Sequence, residues 1–319
     1  MAKKISIIIP VYNEVQNVSK IHSEIIDVCE SAKYQYEIIF VDDGSTDGTT
    51  MALKELYPAK ILVFRKNFGQ TAAIDAGIKH AKNDHIVTMD GDLQNDPHDI
   101  PRLIDHLEKY DLDIVSGWRI NRKDTTAKRI TSKGANLLRT LLLKDGIHDS
   151  GCSLKIYKKE CFNHINLYGE MHRFIPAILK IKGFKIGEVQ VNHRPRVAGK
   201  TKYDWKRTLK GFVDILSVWF WNKYAVRPLH LLGGGGIIIL MMGVLVSLYA
   251  FYLFFLGQDM SNTVLPLLSV FLITSGIQLF IFGLLADIIM KVYFEKTRDI
   301  PYSIQEYVEN INPIKSKPQ

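Results

Sequence analysis

The sequence predicts an α/β fold with a mostly parallel sheet, followed by two membrane-spanning helices. Over residues 1 to about 120, apolar runs alternate with helix-like patterns. These runs are apolar on both faces, which is typical of strands in a parallel sheet covered by helices on both sides. Two later apolar runs exceed the ~20 residues that a helix needs to cross a bilayer. The 319-residue chain is 47% hydrophobic, which suffices for one core and such a membrane segment.

The expected strands are followed by polar clusters. The strand candidates are residues 5–11, 36–42, 60–65, 85–90 and 112–117. The clusters are Tyr12, Asn13 and Glu14 after the first strand, "DDGSTDG" after the second, "DGDLQ" after the fourth, and Trp118 and Arg119 after the fifth. Ligands of parallel α/β sheets bind beyond the carboxyl ends of the strands. We therefore expect Asp42, Asp90 and Asp92 to meet at one edge.

The stretch "VTMDGDLQNDP" crowds Asp90, Asp92 and Asp96 into seven positions. Like charges so close together call for a counter-ion. Hard oxygen ligands suit Mg²⁺ or Mn²⁺ rather than zinc, and such ions also bind substrate phosphates. We expect a metal ion that bridges a diphosphate.

Two common cation- and phosphate-binding motifs do not match the sequence. An EF-hand loop starting at Asp90 would need Gly and Glu where Asn95 and Pro101 stand. A GxxxxGK[ST] phosphate loop is absent from the sequence. Taken alone, "DDGSTDG" is equally explained as a solvated turn that caps the next helix through Ser45 or Thr46.

Two apolar runs, about 229–257 and 264–290, predict a transmembrane hairpin. Their only ionisable residues are His230 and Asp287, and the link "GQDMSNT" is too short for a domain. A pair of buried soluble helices is the alternative. Lys and Arg flank the outer ends and are absent from the link, so the positive-inside rule places both termini in the cytoplasm, including the tail 292–319. The start "MAKKISIIIPVYNE" is too short in apolar residues for a signal peptide.

Residues 206–227 form an expected juxtamembrane segment. Leu209, Phe212, Leu216 and Trp219 recur at helical spacing, with charged residues between them. This pattern favours an interfacial amphipathic helix, and a helix packed on the catalytic core is the alternative. The three cysteines lack CxxC spacing, which indicates free thiols in a reducing compartment.

The motifs together resemble a known family. "IIIPVYNE", "VDDGSTDGT", "NFGQTAAIDAG" and "MDGDLQNDP" occur in this order at the strand ends, and "SGCSLKIYKKE" and "AGKTKYDW" follow. The set resembles the inverting, metal-dependent family 2 glycosyltransferases with the glycosyltransferase A fold. It is most similar to their polyprenyl-phosphate branch, which includes dolichol-phosphate mannose synthase and bactoprenol glucosyltransferase. The resemblance covers residues 4 to about 205, the expected catalytic domain 1–205, and the C-terminal hairpin is typical of the same branch.

The resemblance implies roles for named residues. It places Pro10, Tyr12, Glu14, Asp42, Asp90 and Gly91 around the nucleotide sugar, and Asp90, Asp92 and Gln94 on the metal. Asp92 and Asp149 are the candidate catalytic residues, with Asp149 expected to orient or to act electrostatically. Two positions depart from the family pattern: Gly91 replaces a frequent Ala, and Asp75 a frequent Asn.

The basic residues point to an anionic acceptor. Lys and Arg are interleaved with small and hydroxyl residues in "WRINRKDTTAKRITSK" and around Gly199, a pattern that favours a phosphate site. The candidates are Arg119, Arg129, Ser132, Arg196 and Lys202. A solvated face, or an anchor to anionic lipid, is the alternative. A phosphate monoester with a second pKa near ~6 is mostly dianionic at neutral pH, so it needs no base to attack an anomeric carbon.

These observations predict a multi-pass membrane enzyme with a cytoplasmic catalytic domain. It would transfer a hexose, with UDP-glucose as the donor suggested by the resemblance, to polyprenyl phosphate with inversion and without a covalent intermediate. The lipid-linked sugar would then serve later transfer outside the cytoplasm. The expected partners are a nucleotide sugar, the polyprenyl lipid and the membrane, with no nucleic acid, and a homo-oligomer is left open.

Two other functions stay open at this point. A processive polysaccharide synthase would carry a Gln-x-x-Arg-Trp segment and more membrane helices, which the sequence lacks. A membrane scaffold or transporter would need a polar pathway, and the hairpin offers few ionisable residues.

Overall fold

The computed structural model describes residues 3–120, 146–195 without 164, 166, 168 and 170, the positions 219, 220, 223 and 224, and 227–297. Of the expected juxtamembrane segment 206–227, only Trp219, Phe220, Lys223, Tyr224 and Arg227 are among these residues. The first four have helical backbone, and Lys223 Nζ lies 5.3 Å from the centroid of the Tyr224 ring. An amphipathic helix over the whole segment stays a prediction.

The described part of the chain contains a seven-stranded, mostly parallel sheet. The strands are β1 (Lys4–Val11), β2 (Gln35–Asp42), β3 (Lys60–Val63), β4 (His85–Thr88), β5 (Ile114–Trp118), β6 (Lys155–Lys158) and β7 (Ile186–Gln190). Their order is β3-β2-β1-β4-β6-β5-β7. Only β6 runs antiparallel to its neighbours β4 and β5 among these strands. The predicted α/β class is confirmed, and β6 and β7 add to the five expected strands.

Helices cover both faces of the sheet. They are α1 (Val18–Ser31), α2 (Thr49–Lys54), α3 (Gln70–His80), α4 (Ile100–Lys109) and α5 (Ile175–Ile181). Ile7 and Ile9 of β1 belong to a core with α1 and α4, whereas Ile8 points to the opposite core with α3 and α5. All three side chains are fully buried, each contributing about 1.5–3 kcal/mol relative to exposure. Burial on both faces explains why β1 has no polar alternation.

Two long apolar helices follow, α6 (Pro228–Phe255) and α7 (Leu265–Thr297). Both are long and apolar enough to cross a membrane. In the most apolar 18-residue stretch of each helix, only 11% and 17% of the residues are buried, which disfavours the alternative of buried soluble helices. The second helix runs past the predicted end at 290. The two helices pack against each other at glycines, because a Cβ added to Gly276 would lie 2.6 Å from the backbone nitrogen of Leu240.

Candidate active site

The carboxyl ends of β2, β1 and β4 are neighbours in the sheet. Val11 pairs with Asp42 in register, and β1 pairs with β4 up to Thr88, two residues before Asp90. Asp42 and Asp90 therefore lie at the same sheet edge, as the parallel topology predicts. Three segments far apart in sequence supply this edge.

The loop after β2 is held by Asp42. This carboxylate is fully buried, and it accepts hydrogen bonds from the backbone nitrogen of Ser45 at 2.9 Å and from the hydroxyl of Thr50. Asn13, after β1, exchanges bonds with the same loop: its nitrogen donates to Ser45 Oγ at 2.9 Å, and its Oδ1 accepts from Thr46 N at 2.8 Å. The next helix, α2, begins after Gly48 and has no side-chain cap, so the prediction that Ser45 or Thr46 caps it is wrong. Contact of Asp42 with a nucleotide stays a prediction.

The other residues expected near the nucleotide come from β1 and the turn after it. Pro10 lies in β1 and lines the pocket described below. Tyr12 is 39% exposed, and the backbone nitrogen of Glu14 donates to Thr49 Oγ1 at 2.9 Å. The three residues thus face the same edge as the β2 loop.

Asp43 is a contributor that the sequence analysis missed. It is buried, and its two carboxylate oxygens accept from the backbone nitrogens of Phe68 at 2.6 Å and Gly69 at 2.9 Å. These contacts fix the start of α3, where Gln70 donates its amide to Asp90 Oδ1 at 2.7 Å. The second Asp of "DDG" was the available sequence signal.

The loop that follows β4 is held by Ser153. The Oγ atom of Ser153 accepts from the backbone nitrogen of Asp90 at 3.2 Å and from Asn95 Nδ2 at 2.6 Å. Within the loop, the backbone nitrogen of Gln94 donates to Asp92 Oδ1 at 3.1 Å, and Asp92 is only 8% exposed. One hydroxyl therefore contacts both ends of the segment that carries the predicted metal ligands.

Two further residues of this loop have packing or charge partners. A Cβ added to Gly91 would lie 2.7 Å from Val11 Cγ1, so an alanine here would need a shift of that side chain. Asp96 is paired with Arg194, whose Nη2 lies 2.7 Å from Asp96 Oδ1, and Arg194 also contacts Glu24. The third carboxylate of the crowded stretch therefore has a counter-ion from the protein.

Asp90 and Asp92 are the other two carboxylates of this stretch, and they are the predicted cation ligands. Burial raises the pKa of the Asp90 carboxyl, the neighbouring Asp92 raises it further, and a hydrogen bond from Ser153 opposes the rise. Among the described residues, no three His, Cys, Asp or Glu side chains form a cluster that could hold a metal alone. Carboxylates and an amide are the oxygen donors that an ion such as Mg²⁺ takes together with substrate phosphates, and the assignment of Asp90, Asp92 and Gln94 to a cation stays a prediction.

Arg119 and Asp149 form one ion pair beside this edge. Arg119 Nε donates to Asp149 Oδ2 at 2.7 Å, and Nη2 donates to Oδ1 at 3.0 Å. Burial alone would lower the pKa of the Arg119 guanidinium, but the bonds to Asp149 outweigh it and the net pKa is raised. The sequence analysis assigned these residues to separate roles, whereas the structure joins them. The other acceptor candidates, Arg129, Ser132, Arg196 and Lys202, lie outside the described residues.

A pocket opens between Asp90 and the segment before α5. It encloses about 580 Å³ of empty space including its mouth. Lys155, His172 and Arg173 lie on its wall, and His172 Nδ1 is 2.8 Å from Thr71 Oγ1. "SGCSLK" contained Lys155 as a family motif, but no sequence pattern singled out His172 or Arg173.

This sheet, with acidic loops at the ends of β2 and β4, has the architecture of a glycosyltransferase of the A fold. It aligns with glucosyl-3-phosphoglycerate synthase from Mycobacterium tuberculosis at a TM-score of 0.54, with 16% identity, covering 69% of this chain and 80% of that one. Mannosyl-3-phosphoglycerate synthase from Rubrobacter xylanophilus aligns at 0.53, with 18% identity, covering 68% and 73%. These structures establish the fold.

The family follows from sequence similarity. The Glycosyl transferase family 2 model matches residues 6–165. The chain is 38% identical to dodecaprenyl-phosphate galacturonate synthase of Rhizobium johnstonii, over 96% of this chain and 94% of that protein. It is 30% identical to undecaprenyl-phosphate 4-deoxy-4-formamido-L-arabinose transferase of Proteus mirabilis, over 98% and 97%. The chain belongs to glycosyl transferase family 2 and to its polyprenyl-phosphate branch, which confirms the resemblance and makes it an enzyme.

Proposed function

We propose that the protein transfers one sugar from a nucleoside-diphosphate sugar to a polyprenyl phosphate at the cytoplasmic face of a membrane. The observation that carries this proposal is the similarity to two polyprenyl-phosphate sugar transferases along nearly the whole chain, membrane helices included. The acidic sheet edge and the two apolar helices support it. They join a site for a diphosphate to a segment suited to a lipid acceptor.

The names of the two relatives narrow the choice of donor sugar. One relative is named for galacturonate, and the other for an amino-sugar derivative. A UDP-hexuronate is therefore our first donor candidate, ahead of the UDP-glucose suggested by the motif resemblance. Arg173 on the pocket wall supports this choice, because a guanidinium suits a sugar carboxylate.

Asp90, Asp92 and Gln94 would hold a divalent cation, Mg²⁺ or Mn²⁺. When bound, such an ion supplies positive charge to the leaving diphosphate. The chain's own contribution is to orient Asp90 through the amide of Gln70. The acceptor phosphate is already mostly dianionic near neutral pH, so Asp149 need not take a proton. We assign Asp149 to holding Arg119, and direct in-line attack then inverts the anomeric centre.

Donor and acceptor are tested in one assay. Purified protein in detergent is given undecaprenyl phosphate with UDP-glucuronate, UDP-galacturonate, UDP-glucose or UDP-galactose, each with Mn²⁺, Mg²⁺ or EDTA. We expect a lipid product carrying one sugar, formed fastest with a hexuronate and lost in EDTA. A polymeric product would favour a processive synthase, and equal activity in EDTA would overturn the metal assignment.

The acceptor cluster, which comprises the candidate phosphate ligands Arg119, Arg129, Ser132, Arg196 and Lys202, is tested through Arg129. If Arg129 contacts the lipid phosphate, Arg129→Ala should lower kcat/KM for a short-chain prenyl phosphate in uncharged micelles by roughly 10- to 150-fold, the effect of losing a charge-assisted contact. Binding of the nucleotide sugar should be unchanged. Wild-type kinetics in these micelles would instead support an anchor to anionic lipid.

A further inference from the structure

Ser153 and Lys155 lie on a segment to which the reaction itself assigns no role. The segment contacts the loop 90–95 through Ser153 and continues into β6, the antiparallel strand between β4 and β5. Both side chains line the pocket beside Asp90. Neither one belongs to the cation ligands or to the acceptor cluster named above.

The loop 90–95 depends on this segment for its shape. Ser153 Oγ accepts from Asp90 N at 3.2 Å and from Asn95 Nδ2 at 2.6 Å, while the carbonyl oxygen of Ser153 accepts from Thr88 Oγ1 at 2.9 Å. Ser153 thus contacts the end of β4, the start of the loop and its last residue. Between these points the backbone of Leu93 has a φ of 62°, a left-handed conformation that a non-glycine residue adopts only when its surroundings enforce it.

Lys155 holds the turn that presents Ser153. The Lys155 ammonium is buried, and it donates to the carbonyl oxygens of Cys152 and, at 3.3 Å, of Ser150. A buried ammonium needs such partners, since an unpaired one would be strongly disfavoured. The same turn carries Asp149, which pairs with Arg119. Lys155 therefore stabilises a turn that contacts the loop 90–95 through Ser153 and binds Arg119 through Asp149.

We propose that Ser153 and Lys155 are positioning residues for the cation and diphosphate site, Ser153 by holding both ends of the loop 90–95 and Lys155 by holding Ser153. This inference rests on the proposed function. Residues behind metal ligands typically change affinity by about 10- to 100-fold when removed. The effect should therefore appear in cation binding as well as in turnover.

The test measures Mn²⁺ binding without catalysis. Full-length protein in detergent is saturated with UDP, and bound Mn²⁺ is followed by the loss of the free-ion electron paramagnetic resonance signal. Ser153→Ala should raise the Kd for Mn²⁺ about 10- to 100-fold, and Ser153→Thr, which keeps the hydroxyl, should restore most of the affinity. Ser116→Ala is the matched control, because Ser116 is a buried serine on β5 in register with Lys155, and its hydroxyl lies 3.5 Å from the carbonyl oxygen of Gly117. Its Kd should equal that of the wild type.

Lys155→Met gives a second measurement and should raise the Kd in the same range, with Lys155→Arg closer to wild type. Thermal unfolding of each variant separates site effects from loss of fold, and we expect Ser153→Ala to unfold within a few degrees of Ser116→Ala. Equal Mn²⁺ affinity for wild type and Ser153→Ala would overturn this inference alone. Failure of the wild type to bind Mn²⁺ with UDP would overturn the proposed function as well.

Discussion

At the residue scale, the carboxylates of the sheet edge divide by the partners they have. Asp42 and Asp43 accept hydrogen bonds from backbone and hydroxyl groups of their own or neighbouring loops. Asp96 is neutralised by Arg194. Asp90 is buried next to Asp92, and the charges of Lys155 and Arg119 offset only part of the resulting rise in its pKa, so a bound cation would favour the ionised pair. The same residue type therefore builds loops at one position and, in our proposal, a binding site at another.

Asp92 is the sharpest test of the cation ligands. Asp92→Asn keeps one oxygen but loses the charge that binds the ion, so we expect kcat/KM to fall by at least about 100-fold, the scale of a lost electrostatic group. Asp96→Asn is the control with a carboxylate in the same stretch, and it should retain most activity. The assay is transfer with titrated Mn²⁺. An Asp92→Asn variant that matches wild type at every Mn²⁺ concentration would contradict the assignment.

Substitution of Asp149 tests whether this residue orients Arg119 or acts as a base. Asp149→Asn removes the charge that fixes Arg119, and we expect kcat to fall up to about 100-fold, as for a misplaced binding group. Because the acceptor phosphate needs no base, the shape of the pH–rate profile should not change. Arg119→Gln should cause a similar loss, and the double variant should lose little more, since the two residues act as a pair. Loss of an ionisation from the profile of Asp149→Asn would indicate a base.

The sequence showed which acids gather at the edge but not what fixes them. Asp42, Asp90 and Asp92 could be placed because each follows a recognisable strand. Asp43 and Ser153 could not, because their roles come from contacts with segments 25 and 63 positions away. The bidentate Arg119–Asp149 pair was missed for the same reason, as it joins the end of β5 to a turn 30 positions later.

At the element scale, apolar runs predicted the parallel strands and overlooked the shorter later ones. β6 contributes only Lys155–Lys158, with two lysines in four residues, and its strand conformation comes from pairing with β4 and β5 on both sides. β7 is partly exposed along its length, so it lacks the continuous apolar character of β1. Tertiary pairing overrides weak local preference in such strands. The two long apolar helices were easier to predict, because length and hydrophobicity alone identify them.

The glycines of the helix pair give a prediction at this scale. A Cβ at Gly276 would lie 2.6 Å from Leu240 N and 2.8 Å from Gly236 O, both backbone atoms of α6. Gly276→Ala should therefore destabilise the pair by about 1–3 kcal/mol, as expected for overpacking. Gly234→Ala is the matched control, because nothing lies within 4 Å of its added Cβ. Thermal unfolding in detergent compares the two, and equal transition temperatures would show that α6 and α7 do not pack closely there.

At the scale of the whole molecule, the charges at the helix ends relate the catalytic domain to the membrane. Arg227 precedes α6, and Lys291 lies near the end of α7, where it pairs with Asp287 at 2.7 Å. Residues 256–264 between the helices contain no Lys or Arg. For the proposed transfer to a lipid phosphate, which lies at the membrane surface, the site must be on the side where nucleotide sugars are made. The charge asymmetry favours that side for both ends of the chain.

This arrangement predicts the membrane topology. A reporter fused after Gln319 should be active in the cytoplasm, and an epitope inserted at Gln258, in the link between α6 and α7, should be accessible from outside intact cells. The physical reason is that the Lys and Arg residues flanking the hairpin resist translocation. The link between the helices contains no Lys or Arg, and its one charged residue is Asp259, so it does not resist translocation. An epitope inserted at Lys109, at the end of α4 in the catalytic domain, is the internal control and should stay inaccessible until the cells are opened. A C-terminal reporter found outside would remove the hairpin, since two spans return the chain to the side on which it started. An inaccessible epitope at Gln258 with a cytoplasmic reporter would mean that the helices lie on the membrane without crossing it.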